Sequence, residues 1–597
     1  MPVQYNAPSE DMRFVLQQVI DAESIRQLPG YDEFSNDVIE AIIEEAGKFA
    51  TGVISPLNSL SDEQGARLEV NNHVKTSPGF KEAYQQYVEA GWNSLAGNPD
   101  HNGQGLPEVL ATATNEMWHG ASMSFALCPM LTAGAIHAIE HHGSAQQKAT
   151  YLSKLISGEW AGTMNLTEAQ AGSDLAAVTT KAEPKEQHFL ITGTKIYITY
   201  GEHDLTENII HLVLARIPGA PAGVKGISLF IVPKFLVSEN GALGERNDVH
   251  CISLEHKLGI HGSPTAVMSY GDHGGAIGYL VGEPNRGLEY MFTMMNHARL
   301  NVGLQGIAVA ERALQQAKWY AHDRVQGKTL ITPKDATVGH APIAFHPDVR
   351  RMLASMSSRI QAMRALAYEA AAQLDLATRS TDVAVAQAAQ LRADFLIPIV
   401  KGWSTELSID IASIGVQIHG GMGYVEETGA AQLLRDARIT TIYEGTTAIQ
   451  ANDLLGRKLL RDQGSCATVL LGDVASTIAM LNQIQDTDLK NLGAHLKSGH
   501  DALKESFDYM LANGKSDPAA AYFGSVPLLM LAGYVFGGWM MARSALICHN
   551  NADSSSFAMQ KKASAFFYGQ HVLLPALGAV AAITAGHQGV ETGAALA

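Results

Sequence analysis

The sequence predicts an α+β multidomain fold: an N-terminal helical domain, a central β domain, a C-terminal helical bundle and an additional C-terminal helical domain. Three observations predict it. The chain has 597 residues, too long for one ordinary core and suited to roughly two to four packed units. Apolar residues recur at helical spacing before about residue 160 and again after about residue 287. Between these regions the texture changes to short β-rich runs. Apolar residues make up 46% of the chain and charged residues 17%, the balance of a well-buried globular protein without low-complexity tracts or short repeats.

Residues 1–160 read as helical, with Val38, Ile39, Ile42, Ile43 and Ala46 on one stripe and Gly and Pro clusters between segments. Residues 161–287 carry the candidate strands Phe189 to Thr192, Lys195 to Thr199, Ile209 to Ala215 and Ile227 to Val232, with Gly193 expected to help turn a hairpin. Residues 288–462 return to Ala- and Leu-rich stretches, Ile307 to Ala321, Val349 to Leu376 and Val383 to Ile411, as in a helical bundle. A loop rich in Pro, Gly and Thr, Gly327 to His346, separates the first two of these helices. Residues 463–597 are also helical in texture. In the whole chain only Val526 to Ala542 approaches membrane length, interrupted by Pro527, Gly533, Gly537 and Gly538; a shorter run, Val572 to Ala585, contains Pro575. Both runs are expected to be buried helices, and attachment to a membrane surface is the competing reading.

A formal charge of −17 argues against a general role on nucleic acid, which needs a surplus of Lys and Arg on one face. Cys128, Cys251, Cys466 and Cys548 are far apart, giving neither a disulfide framework nor a zinc pattern, so a reducing cytoplasm is the expected setting. The segment Met1 to Asp11 has no apolar core, and no secretory signal is expected.

Three stretches could carry chemistry. Thr163 to Asp174 combines small residues and hydroxyls, which let backbone N–H groups approach a flat or anionic ligand; alone it also reads as a solvated loop with a helix cap. In Lys195 to Gly201, strand alternation puts Tyr197 and Thr199 on one face, an aromatic wall beside a hydroxyl; alone it also reads as ordinary sheet packing. In the third, Thr440 and Thr441 interrupt one helix, and Thr447 with Gln450 forms a capping box for the next. Glu444 then sits on a short bend before a helix N-terminus, where free N–H groups suit an anion and Gly445 admits a ligand; alone it also reads as a solvated loop residue.

Together these stretches resemble the acyl-CoA dehydrogenase family over about residues 40 to 460. The resemblance implies an FAD enzyme that converts an acyl-CoA thioester to the trans-2-enoyl-CoA and passes electrons to an electron-transfer flavoprotein. Glu444, in Ile-Tyr-Glu-Gly-Thr, matches the base that removes the α-proton. Thr167, Tyr197 and Thr199 match contacts of the isoalloxazine ring, and Met164, Leu166, Gly445 and Thr446 are expected beside them on the cofactor. Ser173 matches a position near the CoA diphosphate and, like Asn296 and Arg299, is expected to meet substrate. Arg324, Gln417, Gly420 and Gly421 match groups that hold FAD across a subunit boundary, which implies a homodimer. The length and the added C-terminal domain are more similar to the large bacterial members, including long-chain acyl-CoA and 3-methylmercaptopropionyl-CoA dehydrogenases.

Some positions depart from the smaller members: Asn296 stands where aspartate is usual, Ala169-Gln170 replaces Pro-Gly, and Val325-Gln326-Gly327-Lys328 is shorter and lacks a phenylalanine. Ser124 to Thr132, with Phe125, Cys128, Pro129 and Met130, falls where the family lines its acyl pocket. His137-Ala138-Ile139-Glu140-His141 fits an inverted zinc-protease pattern, but without a well-placed further ligand it reads as a helix face, and no metal is expected. An acyl-CoA oxidase and a DNA-binding flavoprotein homologue are the rival readings.

Overall fold

The computed structural model describes residues 3–238, 241–330 and 341–596. Residues 331–340 of the predicted Gly327–His346 loop, the first two residues of the expected N-terminal segment and Ala597 lie outside the described residues. Helices precede and follow a central sheet, in the α, β, α order with a further helical segment that the sequence predicts. Two compact units are distinguished: Met1–Gly47, Pro107–Gly120 and Arg299–Ala597 form one, and Lys48–Leu106 with Ala121–Ala298 the other.

The second unit holds an eight-stranded sheet: β1 (Trp160–Asn165), β2 (Lys181–Lys185), β3 (His188–Thr199), β4 (Asn208–Ala215), β5 (Ser228–Pro233), β6 (Val249–Leu254), β7 (Thr265–Tyr270) and β8 (Ala276–Val281). The order is β6-β7-β3-β8-β5-β4-β1, with β2 pairing β3. Only the β1–β4 pair is parallel among these strands. Every residue of β4 and β5 is buried, which is why Ile209 to Ala215 and Ile227 to Val232 read as continuous apolar runs rather than alternating ones.

Gly193 does not turn a hairpin. It lies inside the single strand β3, where pairing with β2 ends at Thr192 and pairing with β7 begins. Its φ of +153° and the approach of Thr180, whose Oγ1 would lie 2.5 Å from an added Cβ, explain the glycine as a close-contact residue. Alternation also fails to run through Lys195 to Thr199. Pairing steps from Lys195 opposite Met268 to Ile198 opposite Ala266, three residues against two, so the strand is bulged.

In the first unit the helices Pro347–Arg379 and Val383–His419 pack together, and Ser525–Asn550 packs on both. Gly533 and Gly537 let that last helix press onto the fully buried Trp403: an added Cβ would meet the indole at 2.2 Å and 2.5 Å. The apolar run at Val526 is thus a core helix, 78% buried over its most apolar window. The run at Val572 is not. Val572, Leu573 and Ile583 are buried, but the residues between them are exposed or half-buried, because only one face meets protein. Nor is Val526 to Ala542 alone in length. Among the described residues, five helices are long and apolar enough to cross a membrane: Met123–His142, Val383–Tyr424, Ser465–Gln483, Ser525–Asn550 and Ser556–Ile583. Length and apolarity cannot separate a buried core helix from a span.

Candidate active site

Glu444 lies on the bend between the turn Ile439–Thr441 and the helix Thr447–Asp453. Its φ is +54°, a left-handed conformation that costs a non-glycine residue about 1–2 kcal/mol and persists only when its surroundings enforce it. The enforcing contacts are visible. The Nε2 amide of Gln450 donates to the carbonyls of both Glu444 and Gly445, at 3.2 Å each, and the Lys401 ammonium donates to the Gly445 carbonyl at 2.6 Å. Gly445 has φ +90°, and a Cβ there would lie 2.8 Å from the Gln450 amide, so only glycine fits. The predicted capping box is therefore displaced. Thr446 is the N-cap, accepting from the Ile449 N–H at 3.4 Å, while Thr447 donates to Glu406 and Gln450 is spent on the base loop.

Two buried cations face this loop. Arg299, on the helix Gly287–Asp323, is 3% exposed and pairs with Asp453 at 2.8 Å; its Nε has no hydrogen-bond partner among the described residues. Lys401 is fully buried on the helix Val383–His419. Burial raises the Glu444 carboxyl to about 7, against the pull of Arg299 and Lys401, and burial lowers Lys401 to about 7 against the pull of Glu444. Sequence reasoning missed Lys401 and Gln450 as functional groups. The signal for Lys401 was a lone charge within the apolar run Phe395 to Trp403.

A carboxyl whose folded-state value is raised contributes stability that is complete below its unfolded value and is lost as pH rises to about 7. Above that, ionised Glu444 is a net cost. Glu444→Gln is expected to raise the apparent Tm at alkaline pH, by a gain on the order of 1–3 kcal/mol after allowing for partial exposure, and to have little effect below pH ~5. Thermal melts of both proteins across this range check it; an equal shift at every pH would refute it.

In the second unit the other two stretches are brought together. The Ile196 N–H donates to the Thr167 carbonyl at 2.9 Å, placing the Thr163–Asp174 stretch against the bulge of β3. Glu168, 3% exposed, anchors it: its carboxylate accepts from Lys195 at 2.8 Å and from the backbone and hydroxyls of Thr179 and Thr180. Burial alone would raise this carboxyl, but Lys195 and the threonines hold it at about 2. Gln170 bonds Glu168, the Ala177 carbonyl and Thr179, which ties the loop to the same anchor. Tyr197, with φ +60°, is thrown outward and 60% exposed. Met164, Leu166, Thr167 and Thr199 are half-buried, while Ser173 is exposed and Gly172 faces open space. An outward aromatic ring, threonine hydroxyls and an open glycine loop fit a flat, hydrogen-bonding cofactor.

Arg324 follows the helix Gly287–Asp323 and Gln417 ends the helix Val383–His419; stacking of Tyr320 on His419 at 4.4 Å brings these helix ends together. Arg324, Gln417, Gly420 and Gly421 are all exposed, and both glycines have nothing within 4 Å of an added Cβ. Asn296 is half-buried in the second unit. Ser124 to Thr132 is wholly buried, with Phe125 set edge-on to Phe80 at 5.5 Å. His137, Glu140 and His141 bring ligand atoms within 4.8 Å of one another, but Glu140 already accepts from Asn98 and His141 bonds the His137 carbonyl.

Four family descriptions match consecutive parts of the chain: "Acyl-CoA dehydrogenase, N-terminal domain" over residues 37–159, "middle domain" over 163–272, "C-terminal domain" over 285–459, and "Acetyl-CoA dehydrogenase C-terminal like" over 470–592. The chain is 49% identical over 575 residues to the 3-methylmercaptopropionyl-CoA dehydrogenase of Ruegeria pomeroyi, covering 96% of each. It is 33% identical over 589 residues to a broad-specificity linear acyl-CoA dehydrogenase of Mycobacterium tuberculosis, covering 95% of each. Its fold is similar to that of ACDH-11 of Caenorhabditis elegans, solved with C11-CoA, at a TM-score of 0.75 and 20% identity over 96% of this chain and 92% of that one.

Proposed function

Because the chain belongs to the acyl-CoA dehydrogenase family of oxidoreductases acting on CH–CH bonds, in its large bacterial form with an extra C-terminal domain, we propose that it is an FAD-dependent dehydrogenase of acyl-CoA thioesters with Glu444 as the base. The observation that carries this reading is a carboxyl raised to about 7, held on an enforced left-handed bend beside two buried cations. An unactivated α C–H is too weak an acid for a solvated carboxylate. Desolvation brings the base close to working pH, where it takes the α-proton with useful driving force. FAD, when bound, supplies the acceptor for the β-hydride.

The residues that would hold the cofactor ring are Thr167, Tyr197 and Thr199, with Met164 and Leu166 along the same stretch and Gly445 and Thr446 beside the base. Arg324, Gln417, Gly420 and Gly421, exposed at two adjoining helix ends, are suited to the cofactor of a second copy of the chain, so a homodimer is part of the proposal. Ser173, Asn296 and Arg299 are assigned to CoA. For Arg299 this means the buried end of the thioester, since its guanidinium is held inside by Asp453. An electron-transfer flavoprotein is the proposed acceptor. Four free cysteines, all buried, are in keeping with a reducing cytoplasm.

For the substrate, 49% identity over nearly the whole of both chains favours 3-methylmercaptopropionyl-CoA; a straight-chain acyl-CoA is the second reading, supported by the mycobacterial relative. Anaerobic mixing of the yellow holoenzyme with a CoA-ester series is expected to bleach the flavin, fastest with the thioether ester. Fastest bleaching by a long straight chain would move the assignment to the second reading. A colourless protein that takes up no FAD, or a flavin that no acyl-CoA bleaches, would refute the proposal. Rapid reoxidation in air would point instead to an oxidase.

A further inference from the structure

We propose that Lys401 and Gln450 are positioning residues for Glu444: from two helices they grip the consecutive carbonyls of Glu444 and Gly445 and so set the direction of the base. The inference deepens the dehydrogenase reading and rests on it.

The geometry is specific. The Gln450 amide spans both carbonyls at 3.2 Å, from the first turns of the helix that follows the bend, and Lys401 reaches the Gly445 carbonyl at 2.6 Å from the middle of a 37-residue helix. A fixed carbonyl fixes the ψ of its own residue, so these bonds lock the backbone that carries the carboxylate. Among the described residues the only hydrogen bond of the Lys401 ammonium is this one, although the side chain is fully buried. A neutral apolar residue would fill such a site at lower desolvation cost, so a retained cation points to an electrostatic task.

The charged groups facing Lys401 identify that task. Glu444 acts on it most strongly from the bend, Arg299 from the helix Gly287–Asp323, and Glu406 from the next turn of its own helix. Glu406 is engaged by Thr447, and Arg299 is engaged by Asp453, which also pairs with Arg457 at 2.7 Å. Arg299 exerts the larger pull on Glu444, and Lys401, which pairs with no carboxylate among the described residues, adds to it in favouring the ionised base. The added C-terminal domain supports the clamp from behind: Leu529 would lie 2.8 Å from a Cβ on Gly402, which would also lie 3.5 Å from the Gln450 Cβ.

The test is stopped-flow flavin reduction of the holoenzyme by its best acyl-CoA across the neutral pH range. Lys401→Met should lower the limiting rate ~10- to 100-fold with substrate affinity little changed, and should move the rising limb of the pH profile upward. Gln450→Leu removes the grip without removing charge, so its rate should fall ~3- to 30-fold with the limb in place. A Lys401→Met holoenzyme with the wild-type rate and limb overturns the inference. If that variant cannot hold FAD, Gln450→Leu decides: an unchanged rate overturns the inference, and a slower rate with an unmoved limb supports it. Failure of the wild-type enzyme to bleach with any acyl-CoA would instead remove the dehydrogenase reading itself.

Discussion

Glu444→Gln is expected to keep the fold and the cofactor and to lose flavin reduction by about four orders of magnitude or more, over roughly 5 kcal/mol of barrier. The amide keeps the shape of the side chain and cannot accept the α-proton. Neighbouring groups offer no substitute: Arg299 is a cation, Lys401 is turned onto the Gly445 carbonyl, Glu406 is tied to Thr447, and Asp453 is held between two arginines. The backbone should hold, since Lys401 and Gln450 grip main-chain carbonyls that the substitution leaves in place. Near-normal bleaching by single-turnover mixing would place the base elsewhere. The same variant is expected to melt later than wild type at alkaline pH, so lost activity with gained stability would separate chemistry from misfolding.

Truncation after Leu460 is expected to give aggregated or FAD-depleted protein. The removed segment includes Ser525–Asn550, whose Gly533 and Gly537 lie on Trp403. Without it an indole that is now fully buried meets water, along with the bundle face around Gly402 and Gln450. A large exposed apolar patch drives association. The consequence reaches the base loop, because Leu529 packs beside the residues that hold Glu444. Sedimentation, flavin content and liposome flotation of both forms check this. If the truncated enzyme stays soluble and active while only the full-length chain floats with liposomes, the segment is a membrane anchor.

The sequence by itself determined the order of helical and β regions, because periods of 3.6 and 2 are local and survive without knowledge of partners. It also determined the bend that carries Glu444, since the threonines and Gly445 around it are local turn chemistry. It placed Thr167, Tyr197 and Thr199 in two stretches that the fold then joins through the backbone bond from Ile196 to Thr167 and the Lys195 ammonium. Tertiary structure decided the rest. Whether Gln450 caps a helix or grips the base loop depends on which carbonyls come within reach, and the sequence offered both. Glu168 and Lys195 are 27 positions apart, and their pairing exists only once the strand and loop meet. Gly193 looks like a turn residue until Thr180 is seen against it. Two apolar runs of similar texture end in different places, one pressed on Trp403 and one largely at the surface, because burial depends on the face a neighbour offers. Lys401 is the clearest case: a single charge in an apolar helix becomes intelligible only when the carbonyl of Gly445, 44 positions away in sequence, is 2.6 Å from its ammonium.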